Sequence, residues 1–121
     1  MNEHNELGKS GEITASEYLL SKGYVILEQN WRSGSWEIDI IAKEKDILVI
    51  VEVKSRSSNY FGEPYMAVTK QKQRLLIKAA EAYIMRKNLN YEVRFDIISI
   101  NYFKGEPTIN HIENAFYPTV R

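Results

Sequence analysis

The chain contains no cysteine. That excludes a disulfide framework and any thiolate metal site, and it suits a reducing cytosol. Long apolar runs are missing too: no stretch approaches the ~20 residues that span a bilayer. The opening M-N-E-H-N-E-L-G-K-S lacks the apolar segment of a secretory leader. A cytoplasmic protein without a membrane partner is the expectation. Proline and glycine are sparse, at three and six residues, and neither gathers into a linker. With no repeat or low-complexity segment, residues 1–121 read as one domain, long enough to bury a real core.

Net charge is also absent, with sixteen Lys/Arg against sixteen Asp/Glu. Taken alone, that argues against a polyanionic partner. The distribution argues otherwise. Residues 1–53 hold five basic and ten acidic side chains, residues 54–88 eight and two, and residues 89–121 three and four. An acidic first half beside a basic middle fits a site where carboxylates hold a cation and cations hold a polyanion. Two solvated surfaces of opposite sign would give the same count.

What is present orders itself as α-β-β-β-α-β-(β). A first helix is expected over Asn5–Ser21, stopped by Gly23, with Leu7, Gly8, Gly11, Ala15, Tyr18 and Leu19 on one face and Glu12 at its margin. Strands follow at Tyr24–Trp31, Trp36–Ala42 and Ile47–Lys54. In the second, alternation places Glu37, Asp39 and Ile41 on one face and Trp36, Ile38 and Ile40 on the other. Ser57–Pro64 is a polar loop. A second helix starts after the N-cap Thr69 and runs to about Lys87, with Val68, Leu75, Leu76, Ala79 and Tyr83 as its buried stripe. Glu92–Ile100 and a short Thr108–Ile112 complete the strands. Hairpins followed by a helical crossover predict a mixed sheet flanked by helices, in the α/β class.

The third strand poses the chemical question. I-L-V-I-V-E-V, residues 47–53, looks buried, yet Glu52 and Lys54 share one of its faces. Buried charges are costly unless paired or bound to something. The short connection to the preceding strand brings Asp39 opposite Glu52. Two carboxylates a few ångströms apart raise one another's pKa, and a divalent cation removes that repulsion. Oxygen ligands with retained waters suit Mg²⁺. A lysine beside the ion can orient or help deprotonate an attacking water, or neutralise charge on a phosphate. A metal-dependent phosphodiesterase needs this set. The plain alternative is an ion pair two residues apart at a strand end.

The spacing Asp39, twelve residues, then Glu52-Val53-Lys54 resembles the PD-(D/E)xK nuclease motif. Glu12, within "GKSGE", resembles the extra acidic residue of archaeal Holliday-junction resolvases in that superfamily. More closely, "GKSGEITASEYLLSKGYVILEQNWR", "EIDIIAKEKDILVIVEVKSR", "AVTKQKQ" with "LIKAAEAYI", and "RFDIISI" with "IENAF" resemble, in order, the YraN-like family of bacterial endonuclease-like proteins. The resemblance covers nearly the whole chain. It implies a single nuclease-like domain with a restriction-endonuclease-like fold. Asp39, Glu52 and the Val53 carbonyl would hold Mg²⁺ or Mn²⁺, Glu12 would complete the acidic site directly or through water, and Lys54 would be the catalytic lysine. It further implies a DNA substrate, including branched intermediates of repair or recombination, and a homodimer if that substrate is a junction. A nucleic-acid-binding module of the same fold with little or no turnover is the alternative.

Two positions depart from the pattern. Ile38 stands where the superfamily has proline, and Trp36 where the YraN-like family usually has glycine. An indole there would narrow the entrance or supply a stacking platform for a base. Glu37 reads either as an orienter of the metal ligands or as a strand-edge charge. Arg56 reads as a phosphate contact or an ordinary surface arginine. Lys70, Arg74 and Lys78 fall opposite the buried stripe of the second helix, as a solvated face. Lys72 falls within that stripe, in the first turn, where cations are disfavoured. It makes sense if it meets a phosphate or the acidic site, and otherwise snorkels to solvent. Tyr60 and Phe61 are stacking or anchoring aromatics, and His4 and His111 are expected at the surface with no metal role.

Overall fold

The computed structural model describes residues 3–57, 68–103 and 105–118, with side chains from Gly8 onward in the first helix. The expected loop at 58–64 with Tyr60 and Phe61, and the side chains of His4 and Leu7, lie outside the described residues. The elements are α1 (Glu3–Ser21), β1 (Val25–Ser33), β2 (Trp36–Glu44), β3 (Ile47–Arg56), α2 (Lys70–Lys87), β4 (Glu92–Asn101) and β5 (Thr108–Phe116). The five strands form one mixed sheet in the order β1-β2-β3-β4-β5. Only β3 and β4 run parallel, joined by α2 as the crossover; β1–β2, β2–β3 and β4–β5 are antiparallel. This is the expected α/β architecture and order.

Local chemistry places the boundaries. Gly23, at φ +92°, lets the chain leave α1 while Tyr24 N–H returns to the Leu19 carbonyl. Gly34 (φ +61°) closes the tight β1–β2 turn. Thr69 caps α2, its hydroxyl accepting from Lys72 N–H at 3.1 Å, and Asn88 in the left-handed region ends it.

The sheet separates two apolar layers. Ala15 and Leu19 of α1 pack with Ile40, Ala42, Val49, Val51, Ile98 and Ile100 on one side. Leu76, Ala79, Ala80 and Tyr83 of α2 pack with Ile38, Ile41, Leu48, Ile50, Phe95 and Ile97 on the other. A fully buried Leu, Ile or Val contributes about 1.5–3 kcal/mol; α1 is held mainly against β3 and α2 mainly against β2. One stripe residue is corrected: Leu75 is 41% exposed, because the stripe follows Leu76, Ala79, Ala80 and Tyr83 around the helix instead.

Two further expectations change. β2 does not alternate along its whole length. Trp36 and Ile38 join the α2-side core, whereas Ile40 and Ala42 join the α1-side core, so the faces exchange at Asp39. The β1 partner twists at the same level, where Asn30 takes φ +52° between the pairs Gln29–Ile40 and Trp31–Ile38. β5 is also longer than expected, running on to Phe116, which stacks on Phe95 with ring centroids 5.1 Å apart. The ladder shifts between Phe95 and Ile97, and this irregularity broke the pattern that marks a strand.

Candidate metal centre

The ladder between β2 and β3 runs from Glu44–Ile47 to Ile40–Val51 and stops. Beyond it the strands part, and Asp39 stands at the fork. Its Oδ2 accepts the Val53 N–H at 2.8 Å, in place of a ladder carbonyl. Extended backbone directs a residue's N–H and C=O to the same edge, so the Val53 carbonyl opens into the same gap. Continuing the register by one step sets Asp39 across from Glu52, and the two carboxyl groups are within hydrogen-bonding reach.

Glu52 is buried, at 5% exposure. Lys54 Nζ and Lys72 Nζ each lie 3.7 Å from its Oε2. Lys72 thus meets the acidic site, from the first turn of α2. Burial and the Asp39 charge push the Glu52 carboxyl up to about 7, against the opposing pull of the two lysines. Asp39 is raised as well, by burial first, with the Val53 N–H and Glu52 pulling the other way. Both carboxyl groups are thus held less acidic than usual, and a divalent ion would oppose that rise.

Glu12, half-buried on α1, bonds to the Asn30 side chain; burial, and then the charges of Asp39 and Glu37, raise its pKa. It borders the fork without closing on it. Among the described residues no three His, Asp or Glu side chains form a cluster that would hold an ion by themselves. The donor set that fits a hard cation is thus Asp39, Glu52 and the Val53 carbonyl, with water completing it and Glu12 reaching through water.

The flanking candidates fall in different places. Glu37 sits opposite Arg32 in the β1–β2 register and pairs with it at 3.3 Å. Trp36 is partly buried against the α2-side core. Arg56 is the last residue of β3, half-buried, its carbonyl accepting from Tyr102 N–H at 2.8 Å.

A second polar cluster was missed in the sequence. Asp96, fully buried on β4, receives Arg94 Nε and Nη2 at 2.9 Å each, His111 Nε2 at 2.7 Å and the Asn114 N–H at 3.0 Å. His111 Nδ1 meets the Tyr18 hydroxyl at 3.1 Å. The expectation of a surface His111 is corrected, since its side chain is 6% exposed. The available signal was the Arg94–Asp96 pair, which strand alternation puts on one face.

Comparison with known sequences now adds the relationships. A family described as "Uncharacterised protein family UPF0102" matches residues 11–100. A UPF0102 protein of Phocaeicola vulgatus is 46% identical over 120 residues, covering 99% of each chain. One from Flavobacterium psychrophilum is 51% identical over 117 residues, 97% of this chain and 98% of its own. One from Thermodesulfovibrio yellowstonii is 52% identical over 112 residues, 93% and 96% respectively. Among the described residues no helix is long and apolar enough to cross a membrane. On the match over residues 11–100 and the near-complete coverage of these relatives, the chain belongs to the UPF0102 family.

Proposed function

We propose that the protein is a Mg²⁺- or Mn²⁺-dependent nuclease that hydrolyses phosphodiester bonds of DNA, of the PD-(D/E)xK, restriction-endonuclease-like kind. One observation carries this reading: Asp39 and Glu52 face each other at a strand fork, with Lys54 and Lys72 both 3.7 Å from Glu52. Asp39, Glu52 and the Val53 carbonyl would hold the ion, which supplies Lewis-acid stabilisation of the phosphate and a more acidic water. Val53 N–H fixes the Asp39 carboxylate so that its other oxygen faces the gap. Lys54, on the exposed side of Glu52, orients the attacking water and offsets charge growing on the phosphate. Lys72 places a second cation on the side where α2 begins. Branched DNA of repair or recombination is the substrate form the superfamily resemblance suggests.

The test is direct. Single-stranded, duplex and four-way-junction DNA are incubated with the protein in Mg²⁺, Mn²⁺ or EDTA, beside Asp39→Ala and Lys54→Ala. Metal-dependent cutting that falls by roughly 10²-fold or more in both variants is the expected result. Binding without cutting, unchanged in the variants, would overturn the nuclease and leave a nucleic-acid-binding module of the same fold.

A further inference from the structure

The first half of α2 has the wrong charge for its position. Its first turn contains no acidic residue, and Lys70, Lys72 and Arg74 crowd the end where the helix dipole is positive. Cations there cost about 0.3–1 kcal/mol each. Arg86 and Lys87 in the last turn are placed favourably, so a preference for stable helices does not explain the others. Lys72 is accounted for by Glu52. Lys70, Arg74 and Lys78 are not: all three are exposed, spaced four residues apart, and without an ion-pair partner among the described residues.

Four residues rise ~6 Å along a helix, so these three cations form a straight ridge of ~12 Å. Three cations in a row can meet about three phosphates of one strand. The ridge begins at Lys70, two residues before Lys72 but on the opposite, exposed face of α2. It borders a groove of about 380 Å³ lined also by Ile77, Glu81 and Tyr117. Tyr117 is 65% exposed, a ring offered to solvent next to a line of positive charge.

We propose that this face of α2 is a track for a single nucleic-acid strand, with its phosphates on Lys70, Arg74 and Lys78 and an unpaired base against Tyr117. A cationic groove with an adjacent exposed aromatic is how sequence-tolerant single-strand binding is built. The track rests on the nuclease reading only in taking a nucleic acid as its ligand, and it binds without metal and without cutting.

The experiment titrates the full-length chain with fluorescently labelled oligo(dT), oligo(U) and a duplex of equal length, in EDTA, over a range of salt. Oligo(dT) or oligo(U) should bind more tightly than duplex, the better of the two identifying the strand as DNA or RNA. Replacing Lys70, Arg74 and Lys78 together by alanine should weaken binding by at least ~10-fold and lower the slope of log affinity against log salt by about 2, for three contacts near 0.7 each. Arginine at Lys70 and Lys78 should restore both. Tyr117→Ala should cost ~5-fold or more with little change in salt slope. If the triple variant keeps wild-type affinity and slope, or if duplex binds as well as single strand and Tyr117→Ala is silent, the track is overturned. A track that passes while wild type cuts nothing in Mg²⁺ or Mn²⁺ separates the two readings, because then only the nuclease fails.

Discussion

Asp96 and Asp39 are both aspartates on strands of one sheet, and their surroundings are opposite in kind. Asp96 is given four donors: two from Arg94, one from His111 and one from the Asn114 backbone. Burial alone would raise its pKa, but those hydrogen bonds hold it below the usual carboxylate range. Arg94, itself raised through its bonds to Asp96, is shared onward with Glu44 at 2.9 Å and with the Tyr24 hydroxyl. Charge and hydrogen bonding close on themselves there. Asp39 receives one backbone N–H and faces a second carboxylate. Burial raises both acids, and the two lysines at Glu52 oppose that rise. A satisfied buried charge network belongs to the fold, and an under-satisfied one is where a ligand is to be sought.

The largest test of this contrast is a pair of isosteric variants. Asp96→Asn leaves Arg94 without its main partner and turns an amide towards the donors that faced a carboxylate. Breaking a buried pair costs about 3–5 kcal/mol, and a fall in Tm of roughly 10–20 °C is expected in thermal melts. Asp39→Asn keeps an oxygen for the Val53 N–H and removes the repulsion with Glu52. Its Tm should match or exceed wild type. Millimolar Mg²⁺ should raise the Tm of wild type but not of Asp39→Asn, through ligand linkage. Equal destabilisation by the two variants would make Asp39 a structural residue and end the comparison.

The two clusters should also give stability opposite slopes in pH. Asp96 has a depressed folded pKa, so its contribution is complete above the unfolded value of 3.8 and is lost as pH falls below it. Glu52 is raised from 4.5 to about 7. Between those values the folded state holds a proton that the unfolded chain has released, so stability declines as pH rises through that window. Wild-type Tm should therefore peak near about pH 5 and fall towards neutrality, a change on the order of 1–3 kcal/mol. Glu52→Gln should flatten the decline, and Mg²⁺ should oppose it by displacing the proton. A wild-type curve that rises between pH 5 and 7 would show Glu52 to be ionised in the fold.

The order of elements was legible because apolar periodicity, Thr69 and the turn glycines are local signals. Asp39, Glu52 and Lys54 were legible as a set because two adjacent strands with a short turn fix which residues can meet. The exchange of faces at Asp39 was not, since it depends on Asn30 across the hairpin taking a left-handed conformation. At that level Asp39 accepts the Val53 N–H. The Asp96 cluster was hidden for a related reason. Its donors come from β4 and β5, and Asn114 reaches it only through the irregular β4–β5 ladder. Lys72 lay between. Its helical angle gave the direction, but only the packing of α2 showed that Glu52 was at the end of it.

The smallest test concerns how α1 is held near each cluster. Towards its C-terminal end Tyr18 bonds to His111 and so to the Asp96 network. Near Glu12 there is close packing instead: a Cβ on Gly11 would lie 1.8 Å from Ser55 Oγ and 3.2 Å from Ser55 Cβ. The hydroxyl can rotate away but the Cβ cannot, so Gly11→Ala must lift α1 slightly, at a cost of about 1–3 kcal/mol. Because Glu12 is the next residue, the same variant should weaken the Mg²⁺-dependent rise in Tm. Ser55 Oγ has no hydrogen-bond partner among the described residues, so Ser55→Ala alone should be neutral or stabilising by up to ~1 kcal/mol. Combined with Gly11→Ala it should recover part of the loss, since it removes the closer of the two contacts. Full additivity of the two changes in Tm would mean that Gly11 and Ser55 do not set the distance between α1 and β3, and Glu12 would then owe its position to Asn30 alone.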